Sequence, residues 1–390
     1  MKKVFDDLKF RKELRMKSIL GVALTVICAA LNMEVMAAAA ADADNATYYW
    51  RSGVASGDWS DSANWERDPS DPESSFHYPD STECTVSFQR ADASVRVNVD
   101  GIYHAKQIKL DNVGIALTFV GSNTNDSRIV ANGQFGNSNN ACLALEAVAF
   151  YCGRFIFSAG ETFKLDKAAY FQSSSETTMT QNGIRLELHG GSVYYQDDWC
   201  IRMSGKDARI VIDDSTLSFN PYRGNQDLDL AYTASSAGGT NVVEFCGAQP
   251  RLLTGFYGVR SGSDAVGCVP EFIFHVPVGG YAEAPIRRVN SNASQMFNGL
   301  KKNTVAFSIA ADSPVYSERQ KLSCQLVDWK EKIATDYVEL KTPTKSGTEF
   351  FYTYGWENGT TKGLREPESD ESPTGLWLQF SNTGMSLRLR

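Results

Sequence analysis

The chain has 390 residues, with 38 Lys and Arg against 46 Asp and Glu, a net charge of −8. No basic run occurs beyond the N-terminus, so the surface cannot meet a phosphate backbone, and nucleic acid is excluded as a partner. The length suits two domains or one elongated repeat domain, in which each repeat buries its apolar side against its neighbours.

Residues 1–41 read as an export signal. Lys2, Lys3, Lys9, Arg11, Lys12, Arg15 and Lys17 precede the apolar run Ser18 to Leu31, and small residues follow from Ala37 to Ala41. A basic head, an apolar middle and a small-residue exit are the three parts of a signal peptide. The run is shorter than the roughly 20 apolar residues that span a bilayer. Met16-Lys17-Ser18 offers a more ordinary starting point for such a signal than Met1. Cys28 lacks the preceding small residues of a lipoprotein site, so no lipid anchor is expected, nor any transmembrane segment in the mature chain. Cleavage after residue 37 removes seven basic and four acidic residues and moves the net charge from −8 to −11.

Seven cysteines remain: Cys84, Cys142, Cys152, Cys200, Cys246, Cys268 and Cys324. An oxidising compartment permits up to three disulfides among them. None is spaced CxxC, which removes the zinc-ribbon and thioredoxin-like readings. Several sit in strand-like runs, where Cys serves as a small apolar group.

Residues 42–94 are aromatic, acidic and proline-containing, and read as an N-terminal cap. From 95 to 275 come short alternating runs bounded by Gly, Ser, Asn and Asp. Examples are Val95 to Val99, Ile115 to Phe119, Arg185 to Leu188, Ser192 to Tyr195, Arg209 to Ile212 and Thr216 to Phe219. Such runs are the signature of short strands, and the fold class expected is all-β.

The runs also recur. Leu186 to Gln196 aligns with Ile210 to Asn220 at an offset of 24, Phe155 to Leu165 repeats the shape 31 residues earlier, and Ile108 to Phe119 does so again. Periods of 20–50 residues mark repeat architectures, and a parallel β-helix of stacked coils over 95–275 is the expectation. An antiparallel β-sandwich is the alternative. Residues 276–390, with longer strands and the charged loop Gly363 to Gly375, read as a C-terminal β cap or small β domain.

Trp50, then Gly57, Trp59, Asp61, Asn64 and Trp65, form an opening of the type W…GxWxDxxNW. It resembles the start of exported β-repeat proteins of Gram-negative bacteria, of the autotransporter-associated β-strand repeat and PEP-CTERM-like type. That resemblance implies a right-handed parallel β-helix passenger at the cell surface. It covers the N-terminal 25 mature residues, and the rest only in style. Glu366-Pro367-Glu368 is not followed by an apolar segment, and no room remains for a translocator barrel, so sorting tail and barrel are not expected.

Carbohydrate enzymes set the test for chemistry. Glycoside hydrolysis needs two carboxylates about 5–9.5 Å apart, and Asp197, Asp198, Asp213 and Asp214 are the candidates. Asp also favours turns, because its side chain bonds the local backbone. A lyase reading would use Arg202 or Arg209 as base with calcium, but no calcium-ligand spacing occurs. His77, His104, His189 and His275 belong to no HxH or HExxH cluster and read as hydrogen-bonded turn or surface imidazoles. Trp59 and Trp65 read as packing residues of the cap. Tyr194, Tyr195, Trp199 and Tyr222 are the candidate glycan contacts, since flat rings stack on sugars. The expectation is an exported, non-catalytic structural or binding protein at the surface, outside the cell or in the periplasm. Its partners would be polysaccharide or other envelope components, with no cofactor and no metal. The alternative is a lyase or glycoside hydrolase built on the same coil.

Overall fold

The computed structural model describes residues 44–381 apart from 72–76, 92–93, 111–114, 138–141, 158–161, 181, 223–226, 232–237, 255–257, 262–267, 269, 289–295, 297–304, 318–321, 330–332, 334–337, 342–350, 359–360 and 366–374. The expected signal at 1–41, the acidic core of the 363–375 loop and the last nine residues of the expected C-terminal β segment lie outside the described residues.

The described residues are all-β and fall into two sheets, of eleven and twenty strands. From Ser94–Val99 to Val338–Leu340, each strand of the smaller sheet pairs parallel with the next. Partners lie between 20 residues apart (Leu143 opposite Phe163) and 35 apart (Phe272 opposite Phe307). Between Thr162–Asp166 and Arg185–Leu188 come two strands of the larger sheet, Tyr170–Ser173 and Thr177–Met179. Their counterparts one step on are Val193–Gln196 and Ile201–Met203, then Thr216–Phe219 and Asp227–Ala231, all paired in parallel. This pairing removes the antiparallel sandwich as the arrangement of 95–275. Antiparallel pairs among the described residues are confined to Thr47–Trp50 with Trp65–Arg67 and to the group Leu322–Asp328, Phe351–Asn358, Thr361–Arg365 and Gly375–Ser381.

Alternation decides which side chains go inside. Successive residues of a strand point to opposite faces, and Arg185–Leu188, Val193–Gln196, Thr216–Phe219 and Glu271–Phe274 each bury every second residue. Because the partners are in phase, like positions stack: Leu143, Phe163, Leu186, Ile210, Val243 and Phe272 form one buried column. Aromatic rings continue it across the interior. Phe171 meets Phe150, Phe155, Phe163 and Tyr194 at centroid distances of 5.8, 5.0, 4.8 and 4.9 Å.

The register corrects the repeat alignment. Leu186 does face Ile210, an offset of 24. Yet Tyr194 faces Leu217, an offset of 23, because the link from Ile212 to Thr216 is one residue shorter than the link from its partner Leu188 to Val193. The outlying matches are out of phase altogether: Phe155 and Ile108 belong to the larger sheet, and it is Phe163 and Leu117 that stand in the Leu186 column.

Residues from both flanks join the same ladders. Ser56–Asp58 pairs parallel with Ser94–Val99, and Thr47–Trp50 with Thr85–Ser87. Parallel pairing also runs past residue 276, through Val305–Ile309 to Val338–Leu340. Trp50, Trp59 and Trp65 are buried at the N-terminal end. Each indole N–H donates to a backbone carbonyl at 2.7 Å, of Val54, Pro79 and Trp59 respectively, so the rings are buried without an orphaned donor. The seven described cysteines are free thiols, five of them buried. Among the described residues no helix is long and apolar enough to cross a membrane.

Phe171 is fully buried among four rings, whereas Tyr195, the residue after the buried Tyr194, points outward. Phe171→Ala is therefore expected to lower unfolding stability by about 3–5 kcal/mol. Tyr195→Ala should stay within about 0.5 kcal/mol of the parent, both read from denaturant unfolding of the purified chain.

Candidate functional site

Two turns of the larger sheet carry the exposed aromatics. Gln196 closes one strand and Phe219 the equivalent strand one step on, so the turns that follow are stacked. Asn220 ties them together: its amide donates to the Asp197 carboxylate at 2.7 Å, and its own Oδ1 accepts from the Tyr222 backbone N–H at 2.9 Å. Trp199 is 47% exposed and Tyr222 75% exposed, and both belong to this pair of turns. Trp199 also sits at φ +60° with Asp198 Oδ1 accepting from its N–H at 2.9 Å. A bulky residue in the left-handed region costs on the order of 1–3 kcal/mol, and Trp199 shares that conformation with other turn residues such as Lys167 and Asp214.

Tyr194 does not belong to this surface. It is fully buried, its ring packs on Phe171, and its hydroxyl lies 2.7 Å from Thr177 Oγ1. Burial pushes its phenol well above the ordinary tyrosine range. The physical reason is alternation: adjacent residues of a strand point to opposite faces, so Tyr194 and Tyr195 cannot both face outward, and the parallel register sets Tyr194 between Phe171 and Leu217 in the core. Tyr195 keeps an outward position.

The two aspartate pairs are not brought together. Asp197 and Asp198 follow a strand of the larger sheet, Asp213 and Asp214 a strand of the smaller one. Asp198 braces the Trp199 turn. Asp214 Oδ1 accepts from the backbone N–H groups of Ala248 and Gln249, at 2.6 and 2.8 Å, pinning the next turn of the stack. Gly247 makes room for it, since a Cβ there would stand 2.4 Å from the Asp214 carboxylate carbon. Asp213 Oδ2 lies 3.1 Å from His189 Nδ1. A shallow cleft bounded by Ala248 to Arg251, Ala282 and Glu283 holds none of these four carboxylates. Asp214→Ala is expected to cost about 1–2 kcal/mol, as two backbone donors lose their partner. Asp214→Asn, which retains an acceptor oxygen, should cost less in the same unfolding measurement.

The outer face of the smaller sheet is a field of paired charges. Arg96 and Lys167 hold Glu146 at 3.1 and 2.8 Å, Arg185 holds Glu187 at 2.8 Å, and Lys341 holds Glu271 at 2.8 Å. One group is chemically richer. Glu244 and Cys246 are two residues apart and share the outward face, and His275 follows the next strand at the position beside Cys246. His275 Nε2 lies 2.6 Å from Glu244 Oε1, Arg209 Nη1 2.8 Å from Glu244 Oε2, and His275 Nδ1 3.3 Å from Asp312 Oδ1. The ligand-capable atoms of Glu244, Cys246 and His275 all fall within 4.8 Å of one another. Hydrogen bonding to Cys246, then to Glu244, pushes the His275 imidazole up to about 10 against the opposing effect of burial. The hydrogen bond from His275 likewise holds the Glu244 carboxyl below its usual range.

Sequence reasoning missed this group because its outermost members, Glu244 and His275, are 31 residues apart and it matches no linear motif. The usable signal was the repeat: Val243-Glu244-Phe245-Cys246 and Phe272-Ile273-Phe274-His275 are equivalent strands, so Cys246 and His275 are equivalent positions. A histidine whose folded value is raised stabilises the fold fully below its unfolded value near 6.5, and that contribution fades as pH rises through about 10. The melting-temperature gap between the parent and His275→Gln, measured with a chelator present, should be widest near pH 6 and close towards pH 10.

No protein-family model, curated protein or solved structure matches this chain.

Proposed function

We propose that this is an exported, non-catalytic structural and binding protein of the cell surface, secreted space or periplasm. Its parallel ladders wind as a right-handed β-helix, with residues 42–94 and the C-terminal β segment as its caps. The observation that carries the binding role is the stacked pair of turns bearing Trp199 and Tyr222, joined by the Asp197–Asn220 hydrogen bond. Two outward rings beside carboxylate and amide groups offer apolar stacking for a sugar face and hydrogen bonds for its hydroxyls. The class of ligand proposed is a polysaccharide or other glycan of the envelope.

Support for the coil comes from combining parallel pairing with alternation. Parallel strands in two-sided sheets are apolar on both faces, whereas these bury one face and present charge on the other. A winding that encloses its own core satisfies both conditions. The resemblance of the Trp50 to Trp65 opening to exported β-repeat proteins supports the location.

A glycan array followed by calorimetry tests the reading. The parent chain is expected to retain at least one envelope-type glycan, with affinity lowered about tenfold by Trp199→Ala and again by Tyr222→Ala, about 1.4 kcal/mol each. Unchanged melting temperatures in both variants would assign the loss to contact. Absence of any retained glycan, or equal binding by the double variant, would overturn the binding role. Release of oligosaccharide products from a bound polymer would replace it with the enzyme alternative.

A further inference from the structure

We propose that Glu244, Cys246 and His275 form a binding site for a borderline-soft divalent cation of the zinc class. The inference does not depend on glycan binding. Three donor types, a thiol sulfur, an imidazole nitrogen and a carboxylate oxygen, converge with all their ligand atoms inside 4.8 Å. Thiolate, imidazole and carboxylate are the ligand set of four-coordinate zinc, at about 2.0–2.3 Å from the metal. Ligands at those lengths stand about 3.3–3.8 Å apart in a tetrahedron, so side-chain rotations of around an ångström suffice, and the strands need not move.

Placement adds a second argument. Glu244 and Cys246 alternate outward on one strand, and His275 comes from the end of the next, which the parallel register holds alongside. The backbone N–H of His275 donates to the Phe245 carbonyl at 2.9 Å, fixing the imidazole's root between the other two donors. The surrounding groups supply the orientation that metal ligands need. Asp312 Oδ1 faces Nδ1 of His275 at 3.3 Å while Nε2 faces the Glu244 oxygen, so one ring nitrogen is oriented and the other is directed at the cluster. Arg209 occupies the second oxygen of Glu244 at 2.8 Å, leaving Oε1 for the site. Carboxylate partners of this kind are the usual outer layer of a histidine–metal site.

Binding would displace two protons to solvent, that on Nε2 of His275 and that of the Cys246 thiol, and the cation would clip two neighbouring strands on the outer face. An ion pair between Arg209, Glu244 and His275, with Cys246 as a further hydrogen-bond partner of the imidazole, is the metal-free state of the same group. Three protein ligands leave a fourth position for water or a ligand atom.

Titration of the reduced, metal-free full chain with Co2+, and with Zn2+ in competition, tests the proposal at pH 8, where ligand protons compete less. The expected result is uptake of one equivalent with a near-ultraviolet sulfur-to-cobalt charge-transfer band, displaced by zinc. Cys246→Ser should abolish the band, His275→Gln should weaken binding at least tenfold, and the positioning residue Asp312 should show a loss of about tenfold or more as Asp312→Asn. Cys142→Ser, which alters an exposed thiol outside the cluster, should bind as the parent does. Zinc should raise the melting temperature of the parent and leave that of Cys246→Ser unmoved, and far-ultraviolet dichroism reports whether each variant is folded. No stoichiometric uptake by the parent, or a band that survives Cys246→Ser, would overturn the proposal whatever the folding of the variants.

Discussion

Each buried side chain of the smaller sheet stands one strand spacing, about 4.8 Å, from the side chain at the same position of the next strand. In-phase parallel pairing therefore turns a short alternating run into a continuous column, such as the one from Leu143 through Phe163 and Leu186 to Phe272. No single four-residue strand could bury enough to hold itself. The column makes each strand the cover of its neighbour, and the rings of Phe150, Phe155, Phe163, Phe171 and Tyr194 fill the space between the two sheets.

The same phasing disciplines the exterior. Outward residues stack as closely as inward ones, so like charges at equivalent positions would repel at strand spacing. Where the register does set like charges opposite, Arg185 with Arg209 and Glu146 with Asp166, each has an opposite charge beside it: Glu187 for Arg185, Glu244 for Arg209, Arg96 and Lys167 for Glu146, and Lys164 for Asp166. Most of these pairs are partly exposed and contribute little stability each. Their larger effect is to specify register, because a one-residue slip would set them against apolar faces.

Turns absorb the variation that strands cannot. The steps between partners lengthen from 24 residues at Leu186 and Ile210 to 33 at Ile210 and Val243 without disturbing the ladder. Side chains of one turn brace the next, as Asp214 does for Ala248 and Gln249, and Asn220 for the turn bearing Asp197. The exposed rings sit in such turns, whereas the ligand-like cluster gathers on the outward face of a strand, beside the end of the next.

Much of the fold was legible in the chain of residues alone. The alternating runs of Arg185–Leu188, Arg209–Asp213 and Thr216–Phe219, with their Gly and Asp punctuation, dictate short strands, because alternation and turn chemistry are local properties. Burial of Trp59 and Trp65 was readable for the same reason. Register was not, since it depends on turn lengths that shift by one residue; register and alternation together put Tyr194, opposite Phe171 and Leu217, in the core and not on the expected surface. Asp197 and Asp213 looked like neighbours in a list of strand ends, yet they belong to different sheets. The meeting of Glu244, Cys246, His275 and Asp312 was likewise a product of pairing: 68 residues of chain separate the first from the last, and only the parallel ladder returns the backbone to the same edge often enough to gather them.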